Sequence, residues 1–373
     1  MNVLVVGHAQ IRDVNRDVYR ALAKLGARVT LLVPDRWSSS YGALRVEPPR
    51  SPGVELVARP IAGRHHSNMY WYVGGIAGVA RACRADVIFV DEDPAGFAAL
   101  QAARIARRRG IGLVVLAVQN IFKRYPLPFE MIQRDVLGTA GAAVTNSSDA
   151  TRTLRRRGFD GPFFEKPLTS DAQPLDRARR RAVRAHLGMS GPTFGFVGRL
   201  VREKGVDTFV DALARVPGVR GLIVGDGPER QELEALASRL RVGDRIRFTG
   251  ALSPGDATDA IGALDGLVLP SRTMPNWSEQ FGRVLVEAMA SGTPVIAAAS
   301  GAIPEVIGDA GILVPEDRPY DLARAMHRLL DESVAAAFVR RGRARHAERY
   351  SSAAAAAELI RAFRHTTNGV LPA

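Results

Sequence analysis

Short runs rich in Val, Ile and Leu alternate with amphipathic stretches of helical length along nearly the whole chain, and this alternation restricts the fold more than any other feature. Such repetition argues for β-α-β units, and hence for parallel sheets covered by helices. In the first half VLVVG, ARVTLLVP, ADVIFV, LVVLAV and AAVTN read as strands, and in the second half TFGFVG, GLIVGDG, RIRFTG, LDGLVLPS, TPVIAAA and GILVP do. Between them lie helices such as NRDVYRALAKLG and AGFAALQAARIARRRG. Gly26 and Gly110 stop these two helices as C-terminal caps. The expected fold class is α/β, with two doubly wound Rossmann-like domains.

At 373 residues the chain exceeds what one hydrophobic core serves, which also points to two domains. The expected division is a first domain over 1–170, a linker over 171–191 where turn formers and charge mix, and a second domain over 192–345. Residues 346–373 form a strand-free, Ala-rich helical tail, long enough to pack back on the first domain. No stretch approaches the roughly 20 apolar residues that span a bilayer. The start MNVLVVGHAQ has no basic leader and reads as the first strand, and the single cysteine, Cys83, forms no internal disulfide. These features point to a cytoplasmic protein.

The net charge of +13 is one-sided: residues 1–190 hold 29 Lys and Arg against 16 Asp and Glu, whereas residues 191–373 hold 22 of each. A basic first domain suits peripheral contact with an anionic membrane at its inner face, or attraction of an acidic substrate. The plainer reading is that Arg107-Arg108-Arg109 and Arg155-Arg156-Arg157 fall at helix ends, where cations complement the dipole. Nucleic acid is not an expected partner.

Ligands of open α/β sheets bind at the carboxyl ends of strands, so the loops after the second-half strands matter most. Arg199 and Lys204 follow TFGFVG and precede a helix. Two cations around such a turn neutralise a diphosphate, and Gly198 and Gly205 let the backbone approach it. The order Lys204-Gly205-Val206 is not that of a P-loop, and two solvated loop cations are the competing reading. Further on, Glu279 lies in a loop, and Phe281 and Gly282 begin a short helix that carries Glu287 and stops near Gly292. That helix start offers N–H groups to an anion. A carboxylate accepts both hydrogen bonds of a vicinal diol, which ribose and hexoses present. Burial of Glu287 on an apolar helix is costly without such a partner.

At these residues the sequence resembles the retaining glycosyltransferases of GT-B architecture, often called family 4. EQFGRVLVE supplies that family's pair of acids as Glu279 and Glu287, followed by EAMASGTPVIA. Gly198-Arg199-Leu200 and Lys204-Gly205 match its basic motif, while VGDGPE at 224–229, FTG at 248–250 and GAIPEVIGDAGILVPE at 301–316 look like the rest of its donor domain. The resemblance spans the second half and implies two domains facing across a cleft, with a C-terminal helix returning to the N-terminal domain. It implies a hexosyltransferase that uses a nucleoside diphosphate sugar, UDP- or GDP-linked, with retained anomeric configuration, no metal and no cofactor. Attack on the front face would be assisted by the departing phosphate. Arg199 and Lys204 would hold the diphosphate and stabilise the leaving group. Glu287 would take the ribose and Glu279 a hydroxyl of the transferred hexose, with Gly198, Gly225 and the amides of Phe281 and Gly282 nearby. Arg199, Lys204, Glu279 and Glu287 are expected to converge on one pyrophosphate pocket.

The first half resembles the family more weakly, in GHAQIRDVNRDVYRALAKLGARVTLLVP and VQNIFKRYPLPFEMIQRDVL. It departs in three places. Gly7-His8-Ala9-Gln10 replaces a Gly-Gly turn, Gln119-Asn120 stands where many relatives have a His, and Glu165-Lys166-Pro167-Leu168-Thr169 replaces a Pro-Asn-Gly-Val-Asp segment. Candidate acceptor contacts are His8, Asp91, Glu92, Asp93, Gln119 and Asn120. For Asp91-Glu92-Asp93 three readings stand: holding acceptor hydroxyls or amines, an Asp-x-Asp metal pair, or a solvated helix N-terminus. His8 reads either as a cleft contact or as structural filler. His65 and His66 lack metal-ligand spacing and are expected to be exposed. Tyr70, Trp71 and Tyr72 are read as core packing or lipid contact.

The acceptor is expected to be a polysaccharide, a lipid or a small natural product. Two other functions compete: a sugar-nucleotide epimerase or hydrolase of the same architecture, and a non-catalytic sugar-nucleotide binding subunit. No Gly-x-Gly-x-x-Gly follows either first strand, which argues against a dinucleotide oxidoreductase.

Overall fold

A computed structural model describes residues 1–39, 42–48 and 53–368. The chain folds into two compact units, one formed by Met1–Pro167 with Ser352–Ala373 and the other by Leu168–Ser351.

The first unit is built on a seven-stranded sheet whose order is Phe163–Glu165, Ala142–Thr145, Gly112–Ala117, Val87–Val90, Asn2–Val6, Arg28–Pro34, Glu55–Arg59. Every neighbour pairs in parallel. The chain starts in the middle, winds to one edge, and returns to wind to the other, so its direction switches between Asn2–Val6 and Val87–Val90. The four central strands are buried on both faces, which is why they read as unbroken aliphatic runs.

The second unit repeats the plan with six parallel strands in the order Ile246–Gly250, Arg220–Val224, Thr193–Val197, Gly266–Leu269, Val295–Ala298, Gly311–Val314. Its switch lies between Thr193–Val197 and Gly266–Leu269. Every strand read from the sequence is present. Both glycine-terminated helices form as well, Asp17–Lys24 and Phe97–Arg109, with Gly110 at a left-handed φ of 64°.

Three expectations are corrected. Residues 171–191 are not a free linker, because they lie within the second unit. There the helix Arg177–His186 is capped by Asp176, and Arg180 and Arg184 bind Asp265 at 2.8 and 3.1 Å. The tail divides at Ser352 and not at 346. Residues up to Ser351 stay with the second unit, where the Tyr350 hydroxyl donates to the Val306 carbonyl at 2.9 Å. The helix Ser352–Asn368 packs Ala355, Ala356, Leu359, Ala362 and Phe363 into the first unit's core beside Val3, Val5 and Phe89. His65, finally, is half-buried: it accepts from the Ser38 amide at 3.0 Å and meets the Trp37 ring edge-on.

The basic runs do sit at helix ends, in the last turns of Phe97–Arg109 and Ser148–Arg156. Arg107 binds Asp135, and Arg156 and Arg157 lie over Phe122. Tyr70 and Tyr72 are buried, and Trp71 between them is exposed, as the two-residue period of their short strand requires. Among the described residues no helix is long and apolar enough to cross a membrane.

Candidate active site

At the second unit's switch point, the loops that follow its two central strands carry the residues singled out from the sequence. After Thr193–Val197 the chain makes a short turn over Arg202–Lys204 and enters the helix Val206–Ala214 through Gly205. Gly205 has a φ of 63°, and a Cβ there would sit 2.1 Å from the Pro270 carbonyl oxygen. Only glycine lets these two loops touch. The contact brings Lys204 against the loop after Gly266–Leu269. The Lys204 Nζ lies 2.6 Å from the Glu279 Oε2, and the Ser271 hydroxyl donates to that same oxygen at 2.9 Å. The Lys204 ammonium also lies 5.0 Å from the centre of the Trp277 ring. Glu279 is buried, a position a carboxylate holds only when paired.

Arg199 extends from the same turn with its side chain exposed and, among the described residues, in no ion pair. Gly282, in left-handed conformation, begins the helix Arg283–Ser291, and no side chain caps it. The Phe281 ring is buried and meets Tyr350 edge-on. Glu287 stands one turn further and pairs with Arg283 at 3.2 Å. Burial pushes the Glu287 carboxyl above its ordinary range, against the opposing pull of Arg283. The backbones of Gly198 and Gly225 back directly onto each other, and both amides are spent on neighbouring carbonyls. The structure therefore joins Lys204 to Glu279, while, among the described residues, Arg199 on the first loop and Glu287 on the helix Arg283–Ser291 make no ion pair with them.

At the first unit's switch point the acids diverge. Asp91 is buried and accepts from the Tyr19 hydroxyl and from Gln10 Nε2 at 2.6 Å, with Lys166 Nζ at 3.5 Å. Glu92 is buried too, and its Oε1 accepts from the His8 amide at 2.5 Å and the Tyr70 hydroxyl at 2.8 Å, and contacts His8 Nδ1. Asp93 is half-buried: its Oδ2 accepts from Gln119 Nε2 and the Tyr125 hydroxyl, both at 2.8 Å, and its Oδ1 from the Ala95 amide at 2.9 Å. Burial, with the charge of Asp93 next, pushes the Tyr125 hydroxyl well up. The solvated-terminus reading fails for Asp91 and Glu92. No three His, Cys, Asp or Glu side chains among the described residues converge as a metal site. Asn120 is half-buried in the same loop as Gln119.

Sequence reasoning missed Ser271, Trp277, Lys166, Tyr70 and Tyr125 as members of these sites. Ser271 was open to discovery, since it ends the strand run LDGLVLPS at the switch point. The tyrosines carried no local signal, because they reach the carboxylates from other elements. A cavity of about 510 Å³ lined by Gly26, Asp86, Arg109 and Arg364 lies at the opposite, amino ends of the first unit's strands, away from this chemistry.

A family model described as Glycosyl transferases group 1 matches residues 191–332, and one described as Glycosyl transferase 4-like domain matches residues 11–162. The chain is 30% identical over 348 residues to the 2-deoxystreptamine glucosyltransferase of Streptomyces kanamyceticus, covering 84% of this chain and 87% of that protein. The chain belongs to the group 1 glycosyltransferases. It is also 35% identical over 263 residues to a D-inositol 3-phosphate glycosyltransferase of Streptomyces bingchenggensis, spanning 62% of this chain but only 56% of that relative. The fold matches the HepE protein of Anabaena, solved in complex with UDP, with a TM-score of 0.72 at 18% identity over 98% of this chain and 100% of the other. The group 1 glycosyltransferase thus has the GT-B fold.

Proposed function

We propose that this glycosyltransferase moves a hexose-type sugar from a nucleoside diphosphate sugar held by its second unit to a cyclitol-type small molecule. The observation that carries this reading is the Lys204–Glu279 pair at the switch point, with Arg199 open on the same turn. Arg199 and Lys204 hold the diphosphate and stabilise the charge that develops as it leaves, a task worth about 10²–10³ in rate per group. Glu279, fixed by Ser271 and Lys204, receives a hydroxyl of the hexose. Glu287 takes the ribose diol. The start of the helix Arg283–Ser291 lends its amides to the phosphate.

The attacking hydroxyl adds to the anomeric carbon on the face the phosphate leaves, and its proton departs with the phosphate oxygen. No metal, cofactor or side-chain nucleophile takes part, and the anomeric configuration is retained. The UDP bound to the HepE protein supports a uridine nucleotide as donor. The acceptor class rests on the relatives, whose names carry 2-deoxystreptamine and inositol phosphate, both polyhydroxylated six-membered carbocycles. The alignment covers most of the aminocyclitol enzyme, and Asp93, held only by neutral donors in the described contacts, offers a carboxylate to an ammonium group.

The test is a screen of sugar nucleotides for thermal stabilisation of the folded protein, followed by transfer to 2-deoxystreptamine and to inositol 3-phosphate. Stabilisation by a UDP-sugar that is weakened in E287Q, with product formed only when an acceptor is added, is the expected result. Release of free sugar or of an epimer at the same rate without acceptor would overturn it.

A further inference from the structure

His8 directly follows Gly7 at the carboxyl end of the central strand Asn2–Val6, where ligands of doubly wound sheets bind. The ring is clamped. One face stacks on Trp37 at 4.2 Å between centres and 23° between planes, and Tyr70 meets it edge-on. Its Nδ1 is held by Glu92, whose side chain is 2% exposed, whereas the His8 side chain is 28% exposed. The turn that carries His8 is fixed from below by the fully buried Arg16, which donates to the Gln10 and Ile11 carbonyls at 2.7 and 2.9 Å.

A carboxylate accepts but does not donate, so the proton of the neutral imidazole resides on Nδ1. Nε2 then carries a lone pair, and among the described residues it has no hydrogen-bond partner. A histidine that served only as filler between Trp37 and Glu92 has no need of a fixed tautomer with its other nitrogen open at the sheet's ligand edge.

We propose that His8 Nε2 accepts a hydrogen bond from a non-reacting hydroxyl of the acceptor, and that Glu92 is a positioning residue that fixes the imidazole and does not touch the acceptor. The inference rests on the transferase reading above and assigns one function to each of two adjacent candidates. No proton is transferred in this step, and the proton of the attacking hydroxyl still leaves with the phosphate. Protonation of Nε2 turns the acceptor of the hydrogen bond into a donor and breaks the match with a hydroxyl already committed elsewhere. Productive binding therefore requires neutral His8.

The groups facing His8 are Glu92 and Asp91 from the loop after Val87–Val90, Tyr70 from its short strand, and His65 across Trp37. Burial depresses the imidazole, but the hydrogen bond and charge of Glu92, with the charge of Asp91, outweigh it and hold His8 above its ordinary value. The acid limb of kcat/KM for the acceptor should thus fall above the usual histidine range.

The experiment measures that limb in the wild type and in H8Q, E92Q and Y70F, with donor affinity followed by calorimetry. H8Q should raise the acceptor KM about tenfold and abolish the limb, with donor affinity unchanged. E92Q, which removes the negative charge, should move the limb down by about one pH unit. Y70F, which leaves more of the Glu92 charge to His8, should move it up by less. A purely structural role predicts lower stability with the limb unmoved, and that result overturns the proposal while leaving the transferase reading intact. Should the wild type turn over no acceptor, the transferase reading itself falls. Titration of the His8 ring by NMR, with 2-deoxystreptamine added as the probe, then decides separately: an unmoved Nε2 resonance overturns the proposal, and a shifted one sustains the contact.

Discussion

At its switch point the second unit leaves Arg199 open to solvent and pairs Lys204 with Glu279 across two loops, whereas the first unit closes its carboxylates onto phenols, amides and a lysine. Both sites sit at the same place in the same strand order. The difference is one of charge: one unit offers cations on a glycine-lined turn, suited to a diphosphate, and the other offers acids, of which Asp93 is held by neutral hydrogen-bond donors alone and suits hydroxyls and amines. A shared topology thus fixes where ligands bind, and the loop residues decide what binds.

The comparison supposes that each unit stands on its own core, and F363A tests this hardest. Phe363 is fully buried in the first unit, so its truncation should cost about 3–5 kcal/mol in urea unfolding. Donor affinity should stay at the wild-type level wherever the protein is folded; a parallel loss of donor binding would contradict separate units. Next in size, K204A should slow transfer by about 10²–10³-fold, with a smaller change in donor affinity. Rates within twofold of wild type would remove the cationic half of the contrast.

E287Q should weaken donor binding by about tenfold in calorimetry. Its pH dependence sharpens the assignment. Because burial holds the Glu287 carboxyl above its ordinary range, the ionised form is lost at a higher pH than usual as acid is added. Wild-type donor affinity should decay through that window and E287Q should not; identical profiles would free Glu287 of the ribose. The smallest effect is expected from D93N, about fivefold on the KM of an amino-bearing acceptor, with none on an acceptor that lacks amines. An equal loss on both would make Asp93 a structural anchor for Gln119 and Tyr125.

Central strands were legible because burial on both faces writes itself as uninterrupted aliphatic sequence, as in Val87–Val90 and Val295–Ala298. The edge strands Glu55–Arg59 and Phe163–Glu165 were not, since an edge buries less and tolerates charge. Lys204, Glu279 and Glu287 could be found because motif spacing is local. The partners Tyr70 and Tyr125 are joined to Glu92 and Asp93 only by folding, and linear spacing carries no trace of them. The linker reading of 171–191 failed for a related reason: a run of arginines looks like solvated chain until the acid that binds it, Asp265, is brought alongside.

The helix Ser352–Asn368 makes the first unit discontinuous, and this sets an order on biosynthesis. As the polypeptide leaves the ribosome, Leu168–Ser351 is a contiguous stretch that can fold as soon as it emerges. The earlier-made half must wait for its last wall, with the flank of the sheet around Val3, Val5 and Phe89 uncovered in the meantime. That interval is when chaperones have most to hold, and clipping the final helix would strip a hydrophobic surface bare.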